Sequence, residues 1–232
     1  MQKIASRSSP RFKRNKTFIQ KHYPFVELYQ EMTDQGRFYI SPEGHRLPSV
    51  TTVLGRVLDK SGLQEWRDRV GEVEANKITT QAANRGTAIH SIAEKYLLNQ
   101  DTYPPRTMPV NIETFLKLQG QIDQHIDVIH AIEAPLYSLK LRTAGRTDCV
   151  ATWDGVPSIV DFKTSRKLKR EDWIESYFLQ ATAYSIMFEE LTGVNIPQFV
   201  ILVAVDHEEP QVFIKSTDNY KNKVIDLFTK AS

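Results

Sequence analysis

One cysteine, Cys149, in 232 residues excludes an intrachain disulfide framework and any zinc or iron–sulfur site built on four thiolates. So few thiols make a reducing compartment, the cytoplasm, the expected location. No stretch approaches 18 apolar residues, so no membrane span is expected. The basic N-terminus lacks the apolar segment that a secretory signal needs. Internal repeats and low-complexity linkers are missing too. Net charge is nearly absent: Lys+Arg 30 against Asp+Glu 28 gives +2, too balanced for a protein that coats nucleic acid nonspecifically. What remains is ordinary globular material, 41% hydrophobic and 25% charged, so the chain can bury a real core.

The small net charge hides an asymmetry. Residues 1–22 hold Lys3, Arg7, Arg11, Lys13, Arg14, Lys16 and Lys21, with no acid before Glu27, so this arm is +7 and the rest −5. Such an arm could grip a polyanion through phosphate contacts; it reads equally as a disordered solubilising tail. Two segments are expected: a basic flexible arm over 1–22 and a single domain over 23–232. Within the domain a helical wall spans about 45–130 and a core about 131–232.

Hydrophobic period divides the domain. Arg37–Ile40 reads as a short strand before the turn signal Ser41-Pro-Glu-Gly44. Ser49 is placed as the N-cap of a helix through Val53, Leu54 and Leu58. Helical stretches follow at about 63–80, 81–98 and from Asn111. The period then becomes two: strands over 132–141, 145–153 and 158–164, a helix over about 172–191, strands over 198–205 and 211–215, and a last helix over 218–229. The order predicts an α/β fold, a central mixed β-sheet flanked by helices, with a helical N-terminal half walling a cleft.

Chemistry gathers on one predicted hairpin. Asp154-Gly155 is a strong two-residue turn signal. If these residues are the whole loop, Trp153 pairs with Val156 and Asp148 lies opposite Asp161. Cross-strand Cβ atoms sit roughly 5 Å apart, and like charges there repel. A divalent cation between the carboxylates offsets that repulsion. Asp161 and Lys163 are two apart and share a face. Two carboxylates and an amine on one face suit metal-assisted phosphodiester hydrolysis. The plainer reading makes both aspartates exposed hairpin carboxylates with Lys163 as a surface partner, and Pro157 beside the turn leaves room for a longer loop or a bulge. On the helices, His90 and Glu94 are four apart, as are Gln180 and Tyr184. Each also has a plain role: a surface histidine, a solvated or capping glutamine, a core tyrosine.

Four segments occur together: Gly86-Thr-Ala-Ile-His90, Gly145-Arg-Thr-Asp148, Asp161-Phe-Lys163-Thr-Ser165 and Gln180-Ala-Thr-Ala-Tyr184. In order and spacing they resemble the PD-(D/E)XK nuclease superfamily, in its RecB-like branch. Leu47-Pro-Ser-Val-Thr-Thr-Val-Leu54 looks like the matching segment of mitochondrial genome maintenance exonucleases and stand-alone phage exonucleases. The resemblance covers most of 45–206. It implies a restriction-endonuclease-like core and a metal site of His90, Asp148, Asp161 and the Phe162 carbonyl, loaded with Mg²⁺ or Mn²⁺. It implies Lys163 as the catalytic lysine, with Gln180 and Tyr184 positioning its strand and the DNA. Ser49, Thr51, Thr52, Arg85, Arg146, Ser165, Arg166 and Lys167 become DNA contacts. Glu133 and Glu94 are acidic positions to watch. Thr147 stands where the superfamily name has proline.

The implied activity is a metal-dependent DNA exonuclease preferring single strands or ends, in repair, replication or recombination and beside the proteins of those processes. For a phage protein the location becomes the host cytoplasm. Two alternatives stay open: a structure-selective endonuclease, and a nuclease-like module that binds DNA or a partner without cutting. Beyond the catalytic strand, the basic run 166–170 could line a backbone groove, with Trp173 and Tyr177 either stacking on bases or packing in the core.

Overall fold

The computed structural model describes residues 9–59 and 61–231. In chain order the elements are β1 (Ile19–Gln20), β2 (Tyr29–Thr33), β3 (Gly36–Ile40), β4 (Arg46–Pro48), α1 (Val50–Val57), α2 (Ser61–Val70), α3 (Glu72–Leu97), α4 (Pro109–His125), β5 (Ile126–Ser138), β6 (Thr143–Trp153), β7 (Val156–Ser165), α5 (Glu175–Thr192), β8 (Gln198–Val205), β9 (Gln211–Ser216) and α6 (Asp218–Lys230). A six-stranded sheet runs β1-β5-β6-β7-β8-β9. It is mixed: β1 with β5 and β7 with β8 are parallel, the other pairs antiparallel. The expected α/β class with a central mixed sheet between helices is what forms.

Central strands are apolar throughout because both sheet faces are covered. In β8, Phe199, Ile201, Val203 and Val205 face the cluster built on α1, α5 and α6. Their neighbours Val200, Leu202 and Ala204 face the cluster of α3 and α4, where Ile89, Ile92, Tyr96, Phe115 and Leu118 are fully buried. In β7 the same alternation sends Ile159 one way and Val160 and Phe162 the other. The β6–β7 turn is Asp154-Gly155 with φ of 48° and 81°, the double left-handed geometry of a two-residue hairpin. Pro157 neither lengthens it nor forces a bulge: Trp153 pairs with Val156 and Thr152 with Pro157.

Three expectations change. The helical stretches at 63–80 and 81–98 instead break at Gly71, whose φ of 83° suits glycine, and α3 then runs unbroken over Glu72–Leu97. Arg37–Ile40 is the middle of a second sheet, β2-β3-β4; β2 is largely exposed on both faces and so carries no alternation to read.

The largest change concerns the arm. Residues 1–8 lie outside the described residues, but over 9–22 the segment packs against the domain. Phe12 and Phe18 are buried among Tyr96, Tyr103 and Phe115. Phe18 also exchanges two 2.9 Å hydrogen bonds with the Asn99 side chain, and Arg14 lies 4.3 Å over the Tyr96 ring. The basic side chains alternate with aromatic anchors, and the anchors decide. Phe18→Ala should therefore cost about 3–5 kcal/mol, the range for a buried phenylalanine. Denaturant unfolding of this variant checks it; a loss under about 0.5 kcal/mol would return the segment to a dispensable tail.

Candidate active site

The hairpin register places the first two carboxylates. Pairing is continuous from Trp153–Val156 to Cys149–Val160, so the next position sets Asp148 beside Asp161. There the ladder ends. Asp148 Oδ2 accepts the Phe162 N–H at 2.9 Å, taking the place of a strand carbonyl as the backbones diverge. Asp161 is 2% exposed and ion-paired to Lys163, two residues along the same face. Asp161 thus faces an ammonium and Asp148 a backbone amide. Asp161 is not an exposed hairpin carboxylate.

The buried pair is electrostatically divided. Burial pushes the Asp161 carboxyl up, against the Lys163 ammonium that pulls it down. Burial also penalises the Lys163 ammonium, but the Asp161 and Asp148 carboxylates outweigh that and hold its pKa above the usual lysine value. Lys163 thus stands as an ammonium paired with Asp161. Its ammonium also lies 5.1 Å over the Tyr177 ring, so that ring supports the lysine and is only partly buried.

A second acidic group assembles across three elements. His90 from α3, Glu133 from β5 and Asp148 from β6 offer ligand atoms all within 4.8 Å of one another. His90 Nε2 lies 2.7 Å from the Phe162 carbonyl, which can only accept, so Nε2 carries a proton and donates it to that oxygen. Nδ1 is 3.5 Å from Asp148 Oδ1. The Phe162 carbonyl thus reaches the site as the acceptor that orients His90. Asp161 is not a member of this group.

Glu133, which the sequence marked only as an acidic position to watch, completes this cluster. It lies between the pairs Ile132–Cys149 and Ala134–Thr147, so it runs alongside Asp148. Its φ of 48° is unusual for a side chain other than glycine and costs of order 1–3 kcal/mol. Burial, then the Asp148 charge, push its carboxyl up to about 7, with Glu94 adding and His90 and Arg146 opposing. Two carboxylates crowded in this way store repulsion that a cation relieves. The sequence pointed to it only through the resemblance to an acidic position of the RecB-like branch.

Gln180 and Tyr184 meet on α5, where Gln180 hydrogen-bonds the Tyr184 phenol and burial holds that phenol protonated. Tyr184 also fixes β6. A Cβ at Gly145 would lie 2.8 Å from both Tyr184 Cε1 and its hydroxyl. Gly145→Ala should therefore destabilise by about 1–3 kcal/mol through overpacking. Thermal melting checks this, and pairing with Tyr184→Phe should recover some of the loss.

The predicted DNA contacts divide. Ser49 is buried and caps α1, accepting the Thr52 N–H at 3.0 Å, and its hydroxyl also meets those of Thr51 and Thr52. Of the three only Thr51 is exposed. Arg85 is ion-paired with Asp206 at 2.7 Å and reaches the Ser165 carbonyl at 3.4 Å, tying α3 to the end of β7. Ser165 is buried and its hydroxyl donates to the Lys167 carbonyl at 2.6 Å. Arg146 pairs with Glu27 and donates to the Glu133 carbonyl, a buttress under the strained residue. Arg166, on Gln81 at 3.1 Å, and Lys167 face solvent, as does Trp173, which is 66% exposed.

No family model matches the chain. Over 148 residues it is 29% identical to human mitochondrial genome maintenance exonuclease 1, a match covering 60% of this chain and 42% of that protein. The chain thus matches well under half of that relative's length. A solved structure from Eubacterium rectale, described as an exonuclease, superposes with a TM-score of 0.44 at 17% identity, over 64% of each chain. Among the described residues no helix is long and apolar enough to cross a membrane.

Proposed function

We propose that the chain is a divalent-metal-dependent deoxyribonuclease of the RecB-like PD-(D/E)XK kind, acting as an exonuclease on single-stranded DNA or DNA ends. The observation that carries this reading is the convergence of His90, Glu133 and Asp148 within 4.8 Å, beside the Asp161–Lys163 pair. Similarity to a human exonuclease supports the same reaction class.

The donor set suits a hard or borderline ion: two carboxylates with an imidazole fit Mg²⁺ or Mn²⁺. The repulsion that lifts Glu133 is what such an ion relieves. Bound there, the ion supplies Lewis acidity and a more acidic water. The chain's own residues do the rest. Phe162 holds the His90 ring through its carbonyl and Asp148 through its amide, so one backbone position aligns two ligands. Lys163 keeps its proton and offers a fixed charge to the oxygens on which negative charge develops during P–O cleavage. Asp161 keeps the ammonium charged and in place.

The test is incubation with end-labelled linear single-stranded DNA, with Mn²⁺ or Mg²⁺ and with EDTA. Metal-dependent release of terminal nucleotides supports the proposal. Cutting of a covalently closed single-stranded circle points instead to an endonuclease. Folded protein that binds the strand with no cleavage in either metal overturns both and favours a binding module.

A further inference from the structure

A second basic feature lies away from the acidic group, where the small sheet meets the β5–β6 turn. A cavity of about 430 Å³ is lined by Arg46, Arg56, Arg142, His45 and Phe38, with Leu47, Pro48, Leu139 and Ala231 completing the wall and no carboxylate among its described residues. The three arginines come from β4, α1 and the turn after β5, so the fold brings them together. Phe38 is 6% exposed and acts as a platform: the Arg46 guanidinium lies 3.7 Å from its ring centroid and that of Arg56 lies 5.6 Å away. Stacking fixes both groups before any ligand arrives, which lowers the ordering cost of binding. Outside the wall, Glu31 takes only the Arg46 Nε, at 3.0 Å, and Arg56 spends one Nη2 hydrogen on the Gln35 carbonyl at 3.2 Å. Arg142 has no hydrogen bond or ion pair among the described residues; it stands exposed at the turn with φ of 51°. The three arginines line the same cavity, and nothing among the described residues pairs with Arg142. Guanidinium forks lining one cavity suit the planar, bidentate geometry of phosphate oxygens.

We infer that this cavity is a second phosphate subsite, holding the backbone of the same nucleic-acid strand that enters the acidic group. That choice of occupant rests on the nuclease reading; the anion site itself rests on the arginines. The two places are joined by β6. Thr143 Oγ1 donates to the Pro48 carbonyl at 2.8 Å and Ser49 bridges to Ala144, so the cavity's floor is continuous with the strand that carries Asp148. Arg142 precedes Asp148 by six residues, about 20 Å along an extended strand. A single strand several nucleotides long spans that distance, so the cavity would grip the substrate at a fixed offset from the reacting phosphate.

The test separates this site from the cleavage reaction. Binding of labelled single-stranded DNA is followed by anisotropy in EDTA, with strands of about 20 and about four nucleotides, across a range of salt. Arg142→Glu should weaken the long strand about tenfold and lower the slope of log affinity against log salt by about 0.7 for each phosphate no longer held. The short strand should be unaffected, and Arg142→Lys should keep most of the long-strand affinity. In parallel, inorganic pyrophosphate should raise the melting temperature of the wild type by about 2–4 °C and that of Arg142→Glu by less. Pyrophosphate stabilisation with no change in strand binding would overturn the strand as occupant and leave a site for a small phosphate compound. No change in either measurement, with wild-type cleavage intact, would overturn the site and leave the nuclease reading standing. Altered strand binding from a protein that never cleaves supports the subsite and removes the nuclease reading.

Discussion

Lys163→Ala is expected to lower cleavage by about 10²–10³-fold or more, the effect of deleting one preorganised charge aimed at the reacting oxygens. The same change acts on stability in a way that identifies the cause. Asp161 is buried, and Lys163 is its ion-pair partner. Removing one member of a buried pair leaves an uncompensated charge and costs about 3–5 kcal/mol. The stranded carboxyl escapes by taking a proton. Burial and the Asp148 charge already push Asp161 upward, and the Lys163 charge that opposes them is gone in the variant. A carboxyl raised in the folded state favours folding below its ordinary range, and that contribution is lost as pH rises through the raised value. The melting-temperature gap between variant and wild type should therefore be largest near pH 8 and narrow on acidification toward pH 5. Adding Asp161→Asn to the variant should recover much of the stability and none of the activity. Full cleavage by folded Lys163→Ala would remove this lysine from the chemistry.

What the sequence made legible follows from how local each signal is. The Asp154-Gly155 turn sets a register by residue type alone, and that register carried the Asp148–Asp161 neighbourhood correctly. Ser49 as N-cap and the bounds of β8 were equally local. The side chains then depended on backbone detail that no period encodes. Asp148 bonds Phe162 because β6 and β7 diverge just past the Cys149–Val160 pair. Glu133 meets His90 and Asp148 at a left-handed residue within β5, a local departure from the two-residue parity that strand reasoning assumes. The arm misled for a different reason. Its charge is spread over seven basic residues, while its docking rests on two phenylalanines among them. Arg46, Arg56 and Arg142 share no spacing; only the fold makes them neighbours.

Glu133→Gln should make the metal-free protein more stable and inactive at once. In the wild type burial and Asp148 lift the Glu133 carboxyl to about 7 from its ordinary value of 4.5. Its contribution to folding is thus full below about 4.5 and lost as pH climbs through about 7, so at pH 8 the ionised side chain opposes the fold. Glutamine keeps the shape and removes the charge. The variant's melting temperature in EDTA should exceed the wild type's at pH 8, with the advantage fading toward pH 5. Divalent cation should reverse the ranking. An ion at 100 times its dissociation constant adds about 2.7 kcal/mol to the protein that binds it. The wild type should gain this with Mn²⁺, more at pH 8 than at pH 6, because ion and proton compete for Glu133. The glutamine variant, short one anionic ligand, should gain little and cleave little. Thermal melts of both proteins with EDTA and with Mn²⁺ at pH 5, 6 and 8 check these expectations. An equal Mn²⁺ shift in both proteins would move the ion away from Glu133. No shift in either would leave the acidic group without its cation. The expected pattern would locate the energetic reason for the site in the chain itself: the fold holds Glu133 in a strained backbone position against a second carboxylate, and that cost is recovered when charge of the opposite sign arrives.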